Sequence, residues 1–325
     1  MKISVIIPVF NASKYLDKCI DSLLSQTIDL IEIIFVDDCS TDNSLQILKK
    51  RVSEFSNKGY EIKIVEHKVN RGSASARNSG LERVTGKYIG WLDADDYIDP
   101  HMFEKLFDQV ESENADIICC NFKMVYVDRV LNRPQPMPAD PLTFVEMLMV
   151  GKMQGMLWNK LFRTTLFTEN NIQFVDGANL AEDRNVLIKL LLCANSISFN
   201  NEYLYYYVQE NSQSITRDLR ISRVYEEITN SKDIIEFIES RNFQIDRDAL
   251  RHLLFRSKSK LLHSKNIIDF KNWATIFQDS NDLVSNSSLS PRHKFLAICA
   301  TFKFWGIIKI WIWLKIKLGS RSKEK

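Results

Sequence analysis

Residues 88–97 read YIGWLDADDY, a short apolar run that ends in Asp93, Asp95 and Asp96. Carboxylates this close repel one another, and they ionise together only where water, a cation or hydrogen-bond donors hold them. A second acidic pair, Asp37 and Asp38 in VDDCSTD (36–42), closes another apolar run. Gathered around one crevice, these five carboxylates suit a hard divalent cation such as Mg2+ or Mn2+, bound through one or two of them plus phosphate oxygens. The stretch NRGSASARNSG (70–80) adds Arg71 and Arg77, and Gly72 and Gly80. Arginine matches phosphate by paired hydrogen bonds, and glycine admits close backbone approach. A carboxylate-held cation beside arginine describes a diphosphate site fit for a nucleotide-activated substrate. Each segment also has a plainer reading: an acidic turn at 93–96, a capping turn at 37–42, a solvated helix residue at Arg77.

Whether these residues meet depends on the elements that carry them. The first 120 residues alternate between two periodicities. Continuous β-rich runs at 3–9, 31–36, 61–65, 88–92 and 116–120 have the pattern of parallel strands covered on both faces. Between them lie helical patterns. The first places Tyr15, Leu16, Cys19, Ile20, Leu23 and Leu24 on one face after Asn11, a candidate N-cap. A second, capped by Asp42 or Asn43, carries Leu45, Leu48, Val52 and Phe55, and 76–84 and 100–113 supply two more. This rhythm predicts an open α/β sheet wound right-handed, whose ligands sit beyond the carboxyl ends of the strands. The segments 8–11, 37–42 and 93–96 all fall on that rim. Further on, 128–141 holds four of the seven prolines and reads as a loop; 181–193 is a helix start, and aromatic-rich 196–208 a hairpin or edge strands. Helical patterns follow at about 219–241, 246–264 and 266–282, then a polar linker at 281–290.

The motifs VIIPVFN (5–11), VDDCSTD (36–42), GSASARNSG (72–80), WLDADD (91–96) and AED (181–183) stand in the order and spacing of the family 2 glycosyltransferases. WNK (158–160) and the later YYY resemble bacterial members that build surface polysaccharides such as capsule, O-antigen (lipopolysaccharide) or exopolysaccharide. The resemblance covers about residues 1–215. It implies the GT-A fold, a Rossmann-like, mostly parallel sheet with helices on both faces, followed here by a helical region. By the same resemblance, Pro8 and Phe10 line the base pocket with Phe10 against uracil. Asp38 meets the base with Asp37 beside it, and Arg77 approaches the nucleotide or its phosphates. Asp93 and Asp95 form the DxD signature: Asp95 contacts the metal, and Asp93 the ribose or a metal-bound water, while Asp96 lies outside the signature. Asp183 of the ED pair is the base, with Glu182 as fallback. Trp158 and Lys160 of WNK, with the tyrosines at 203–207, belong on the acceptor side. Helix N-terminal acids favoured by the dipole are the plainer reading of the ED pair, and core packing that of the aromatics.

The activity so implied is an inverting, metal-dependent hexosyltransferase using Mn2+ or Mg2+. It would move glucose, galactose or an N-acetylhexosamine from a UDP-sugar to a polyprenyl-diphosphate-linked saccharide. Two alternatives stand beside it: a non-catalytic nucleotide-binding partner of a membrane polysaccharide synthase, and a transferase acting on polyprenyl phosphate itself. A phosphatase with an aspartyl nucleophile, which LDADDY superficially resembles, requires Thr or Val where Tyr97 stands and a motif after the first strand.

Composition is ordinary for a soluble globular protein: 45% hydrophobic and 26% charged residues over 325 positions, long enough for one large domain or two smaller ones. Six cysteines without CxxC or zinc spacing read as free thiols of a reducing compartment, and nothing points to nucleic acid. The short apolar N-terminus reads as a first strand, which places the protein in the cytoplasm. The net charge of +2 hides an asymmetry. From 291 to 325 there are nine Lys/Arg and one acidic residue, against 34 basic and 40 acidic in the remainder. That Trp-rich basic tail lacks an uninterrupted run long enough to span a bilayer. It suggests peripheral association with the inner face of the cell membrane; a packed C-terminal helix is the other reading. The expected division is thus a catalytic domain at 1–215, a helical extension at 216–290 and the tail at 291–325.

Overall fold

A computed structural model describes residues 1–209 and 220–321. Its first half follows the expected rhythm. Strands β1 (Ile3–Val9), β2 (Ile31–Asp37), β3 (Glu61–Glu66) and β4 (Tyr88–Trp91) are separated by α1 (Leu16–Leu24), α2 (Ser44–Asn57) and α3 (Ser73–Leu81). These four strands lie side by side in the order β3-β2-β1-β4, all parallel. Every residue of β2 is buried, so both faces of the sheet are covered, as its unbroken apolar sequence requires. Register places Val9 opposite Asp37 and Ile6 opposite Trp91. The ends of β1, β2 and β4 therefore open on one rim.

The sheet then continues in mixed fashion. After β5 (Tyr97–Ile98) and α4 (Met102–Ser112) come β6 (Ile117–Val125), β7 (Val130–Arg133), α5 (Pro141–Val150), β8 (Lys160–Arg163), α6 (Thr164–Thr168), α7 (Glu182–Cys193) and β9 (Ile197–Val208). Strand β8 inserts antiparallel between β4 and β6, and β9 runs parallel to β6 with a register shift near Asn121. Among the described residues the result is one nine-stranded sheet, parallel through β1–β4 and mixed beyond them, in keeping with the Rossmann-like, mostly parallel arrangement expected.

Four local expectations are corrected. Asn11 does not cap α1; Tyr15 occupies that position, and Asn11 sits at φ 50° with its side chain turned elsewhere. The proline-rich 128–141 is not all loop, since β7 pairs with β6 as a hairpin and Asp140 caps α5 by accepting from Thr143 N at 2.8 Å. Of the two readings of 196–208 the hairpin fails: β9 is one strand over Ile197–Val208, paired with β6 along its length and with β5 only at Tyr205 and Tyr206. The 281–290 linker begins inside a 3-10 turn (Gln278–Val284), where buried Asn281 accepts from Lys258 Nζ at 2.5 Å.

The main core runs from the sheet into the helical extension. Ile234 and Ile238 of α8 (Ile221–Ser240) and Leu253 of α9 (Arg247–Ser259) are buried in it. A second cluster gathers Val224, Phe255, Leu261, Phe270 and Trp273 with Leu296, Ala300, Ile308 and Ile312. It seats α10 (Ile267–Thr275), α11 (Pro291–Thr301) and α12 (Trp305–Arg321), so the basic tail folds back as two helices on the extension. The boundary expected at 215 lies outside the described residues.

Candidate active site

Three loops at the carboxyl rim are tied to one another before any ligand is considered. The Asn11 side-chain oxygen accepts from Thr41 N at 2.8 Å and Asp42 N at 3.3 Å, joining the exits of β1 and β2. Asp42 accepts from Ser13 N at 3.0 Å and from Ser44 N at 2.9 Å. Asp38, only 3% exposed, accepts from Arg71 N at 2.8 Å and Gly72 N at 2.7 Å and pairs with His67 Nδ1 at 2.7 Å. Asp38 thus pins the glycine loop that opens α3. Buried Asp37 accepts from Ser40 N at 3.1 Å and stays within its own turn. Pro8 lines the same edge, and Phe10 presents its ring to solvent at 50% exposure.

Gly72 carries the turn into α3 at φ 87°, and a Cβ there would lie 2.4 Å from the Asn179 side chain. Asn179 in turn accepts from Ala74 N at 2.9 Å. Inside α3, Gly80 lets the helix settle on β1, where a Cβ would meet Ile6 at 2.4 Å. That close seating points Arg77 into the crevice.

Arg77 is the centre of the site. Its Nη1 donates to Glu182 at 2.8 Å, and its Nη2 lies 3.4 Å from both Asp93 and Asp183. Ser73 Oγ donates to Glu182 at 2.8 Å. One guanidinium therefore joins α3, the segment after β4 and the first turn of α7, the last of them more than a hundred residues from Arg77 in sequence. Burial works against its charge, but the carboxylates of Asp183, Glu182 and Asp93 outweigh that and hold it protonated above the ordinary arginine value. The acids feel the reverse. Burial pushes Asp183 up to about 7, opposed by Arg77 and reinforced by Glu182 and Asp93. Burial likewise lifts Asp93 to about 6, with Arg77 pulling down and Asp95 and Glu182 pushing up. A carboxylate poised near neutrality in a crevice is suited to take a proton.

The remaining acids of the DADD turn divide cleanly. Asp96 is 1% exposed; its Oδ2 accepts from Tyr205 Oη at 2.7 Å and its Oδ1 from Val208 N at 2.7 Å. Burial, with Asp95 and Asp93 nearby, raises it well above the carboxylate range, so it is a buried structural acid. Asp93 and Asp95 keep partial access to solvent. Among the described residues no ready-made cluster of three or more acidic, His or Cys ligands exists. A pair of accessible carboxylates of this kind nevertheless fits Mg2+ or Mn2+, which complete their shell with water and substrate phosphates.

On the acceptor side the structure places the named residues deeper than expected. Trp158 is buried and stacked on Tyr205 with ring centroids 4.1 Å apart, so both are core aromatics. Lys160 is 1% exposed, and its ammonium donates to Met156 O at 2.6 Å and Asn159 Oδ1 at 2.7 Å. Burial lowers its pKa. Neither side chain offers a surface to a sugar in this arrangement: Trp158 backs Tyr205, whose hydroxyl accepts from Asp93 N at 3.3 Å, and Lys160 lies close enough to Asp183 to attract its charge.

Several contributors had no motif to announce them. His67 bridges Asp38 and Ser79 Oγ, the latter at 2.9 Å. The loop before the ED pair is held by α8: Arg223 donates to Asn179 O at 2.7 Å, Asn179 N donates to Glu226 at 3.0 Å, and Asn230 Nδ2 donates to Ala178 O at 3.0 Å and Leu180 O at 2.9 Å. This clamp ends at Ala181, which sits at φ 62° immediately before Glu182. An alanine in that region costs on the order of 1 kcal/mol and persists only where its surroundings over-determine it.

The profile of "Glycosyl transferase family 2" matches residues 4–191. The chain belongs to that family. It is 34% identical over 221 residues to the uncharacterized glycosyltransferase EpsJ of Bacillus subtilis, covering 66% of this chain and 62% of that one. It is 30% identical to the uncharacterized glycosyltransferase YibD of Escherichia coli, covering 77% and 78%. The crystal structure of S. aureus TarS 1–349 in complex with UDP-GlcNAc superposes with a TM-score of 0.69 at 21% identity, over 99% of this chain and 92% of that one. The match spans about three-fifths of the length of the first curated relatives.

Proposed function

We propose that this family 2 glycosyltransferase moves a hexose, in particular an N-acetylhexosamine, glucose or galactose, from a UDP-sugar to a lipid-linked saccharide in bacterial surface-polysaccharide synthesis. The observation that carries the reading is the Arg77 hub, because it puts an acid poised near pH 7, Asp183, beside the DxD carboxylate Asp93. Complexation of TarS with UDP-GlcNAc supports the nucleotide half of the proposal. The names of curated relatives, among them the TarS poly(ribitol-phosphate) beta-N-acetylglucosaminyltransferase of Staphylococcus aureus, support the polymer half.

In this reading Phe10 and Pro8 cover the base and Asp38 holds the loop that frames it. Asp95, with Asp93, would hold a divalent cation. When bound, that ion neutralises charge on the departing diphosphate. Asp183 accepts the proton of the acceptor hydroxyl as its oxygen bonds to the anomeric carbon. The bond from that carbon to the diphosphate oxygen breaks on the opposite face, and its electron pair leaves with UDP. A single displacement of this kind inverts the anomeric centre. Arg77 orients Asp183 and Glu182 and keeps both in reach of the crevice.

The test is UDP release by the purified protein from a panel of UDP-sugars, with and without Mn2+ and a lipid-linked acceptor. Turnover that disappears with Asp183→Asn, and with Asp95→Ala or chelation, supports the proposal. Binding of UDP-sugars without turnover on any acceptor would instead favour a non-catalytic partner of a synthase, and transfer to polyprenyl phosphate alone the simpler lipid acceptor.

A further inference from the structure

The two C-terminal helices are apolar on both sides, and only one side is covered. Leu296 and Ala300 of α11, with Ile308 and Ile312 of α12, face inward into the second core. Lys315 turns the same way and donates to His263 O at 2.7 Å. On the outer side, Phe295 and Ile298 of α11 and Phe302 at its C-cap stand at i, i+3 and i+7, and Ile307, Ile310 and Leu314 repeat that spacing along α12. Each is 43–66% exposed, and Trp313 beside them is 57% exposed. Half of the large hydrophobic residues that are exposed among the described residues lie between Phe295 and Ile316. Soluble surfaces scatter such residues singly, whereas a contiguous patch on two packed helices marks a surface that meets a nonaqueous partner.

Charge says which partner. Residues 291–321 contain seven Lys/Arg and no Asp or Glu. Lys303, Lys309 and Lys317 are exposed around the apolar face, and Lys317 lies over the Trp313 ring at 4.7 Å. A symmetric pairing of two copies through this face would set basic side chain against basic side chain with no acid on either helix to offset them. Among the described residues no helix is long and apolar enough to cross a membrane. Apolar side chains that enter the acyl boundary, with long lysines reaching back to headgroups, fit a helix lying in the interface.

We propose that the outer face of α11 and α12 docks flat on a bilayer containing anionic lipid, with Ile310 and Trp313 among the inserted side chains. This goes beyond general membrane association by assigning the surface and its lipid class, and it holds whichever sugar is moved. The full chain is mixed with vesicles of phosphatidylcholine alone, or of phosphatidylcholine with phosphatidylglycerol, and separated by flotation, so no sugar transfer is needed to read the result. The protein should float with the anionic vesicles only, and less so in high salt. Ile310→Asp with Trp313→Asp should weaken binding by about tenfold or more, since each side chain loses its transfer from water. Both are exposed, so the thermal unfolding of the variant should match the parent. Lys303→Glu with Lys309→Glu should abolish the preference for phosphatidylglycerol. Absence of flotation, or equal flotation of the aspartate variant, overturns the proposal. A parent dimer by light scattering that the aspartate variant converts to monomer assigns the face to a second copy and overturns it as well.

Discussion

Asp183→Asn should make the protein more stable and less active at once, and the two effects should have different pH dependence. The Asp183 carboxyl is raised from an ordinary 3.8 to about 7, first by burial and then by Glu182 and Asp93, with Arg77 only partly compensating. A carboxylate whose folded pKa lies above its unfolded pKa stabilises the fold fully below the unfolded value. That contribution is lost as pH rises through the folded one. The raw shift corresponds to about 4 kcal/mol at about 1.4 kcal/mol per pH unit. The side chain is 23% exposed, however, and water there reduces the penalty, so about 2 kcal/mol is the expected scale. Asparagine has nearly the same shape and cannot ionise, and Arg77 keeps Glu182 and Asp93 as partners. The variant should therefore exceed the parent by about 2 kcal/mol above pH 7, with the difference fading to zero near pH 4. Urea unfolding without divalent cation across that range measures it, while UDP release should fall by on the order of a hundredfold or more. Equal stabilities at pH 8 would refute the strained-acid account, and retained turnover would remove Asp183 from the base role.

Three further outcomes follow from the same contacts. Turnover of the parent should rise with pH through about 7 as Asp183 loses its proton, read from an initial-rate pH profile. Gly72→Ala should cost about 1–3 kcal/mol, because φ 87° and the Asn179 side chain both oppose a Cβ; calorimetry should show the loss and donor titration a weaker affinity. Asn230→Ala strips two donors from the loop before the ED pair and should cost about 2 kcal/mol, with kcat falling more than the donor KM rises.

The first half of the fold was legible because its signals are local. Strands β1 to β4 are unbroken apolar runs, and their ends carry the polar residues of the rim, so periodicity locates both. Failures came where a residue answers to a distant partner. Asn11 is a good capping type, yet its side chain is claimed by Thr41 and Asp42 across the rim. The prolines at 134, 136 and 138 suppress any reading of β7, which forms because β6 offers it an edge just before them. Trp158 and Lys160 sit in a recognisable motif, but spacing cannot tell a side chain that lines a cleft from one that supports its floor.

The same limit explains why the extension looked like an appendage. Helix α8 carries no motif, and its pattern reads as one more amphipathic helix. Yet Arg223, Glu226 and Asn230 fix the backbone of 178–180, and that backbone forces Ala181 into a left-handed turn that aims Glu182 and Asp183 at Arg77. A catalytic acid held by a strained turn is only as well placed as whatever holds the turn. On the proposed function, the extension therefore belongs to the machinery that places Glu182 and Asp183. Because α8 also contributes Val224 and Ile228 to the core beneath α11 and α12, the helix that positions Glu182 and Asp183 is packed against the helices that bear the outward apolar face.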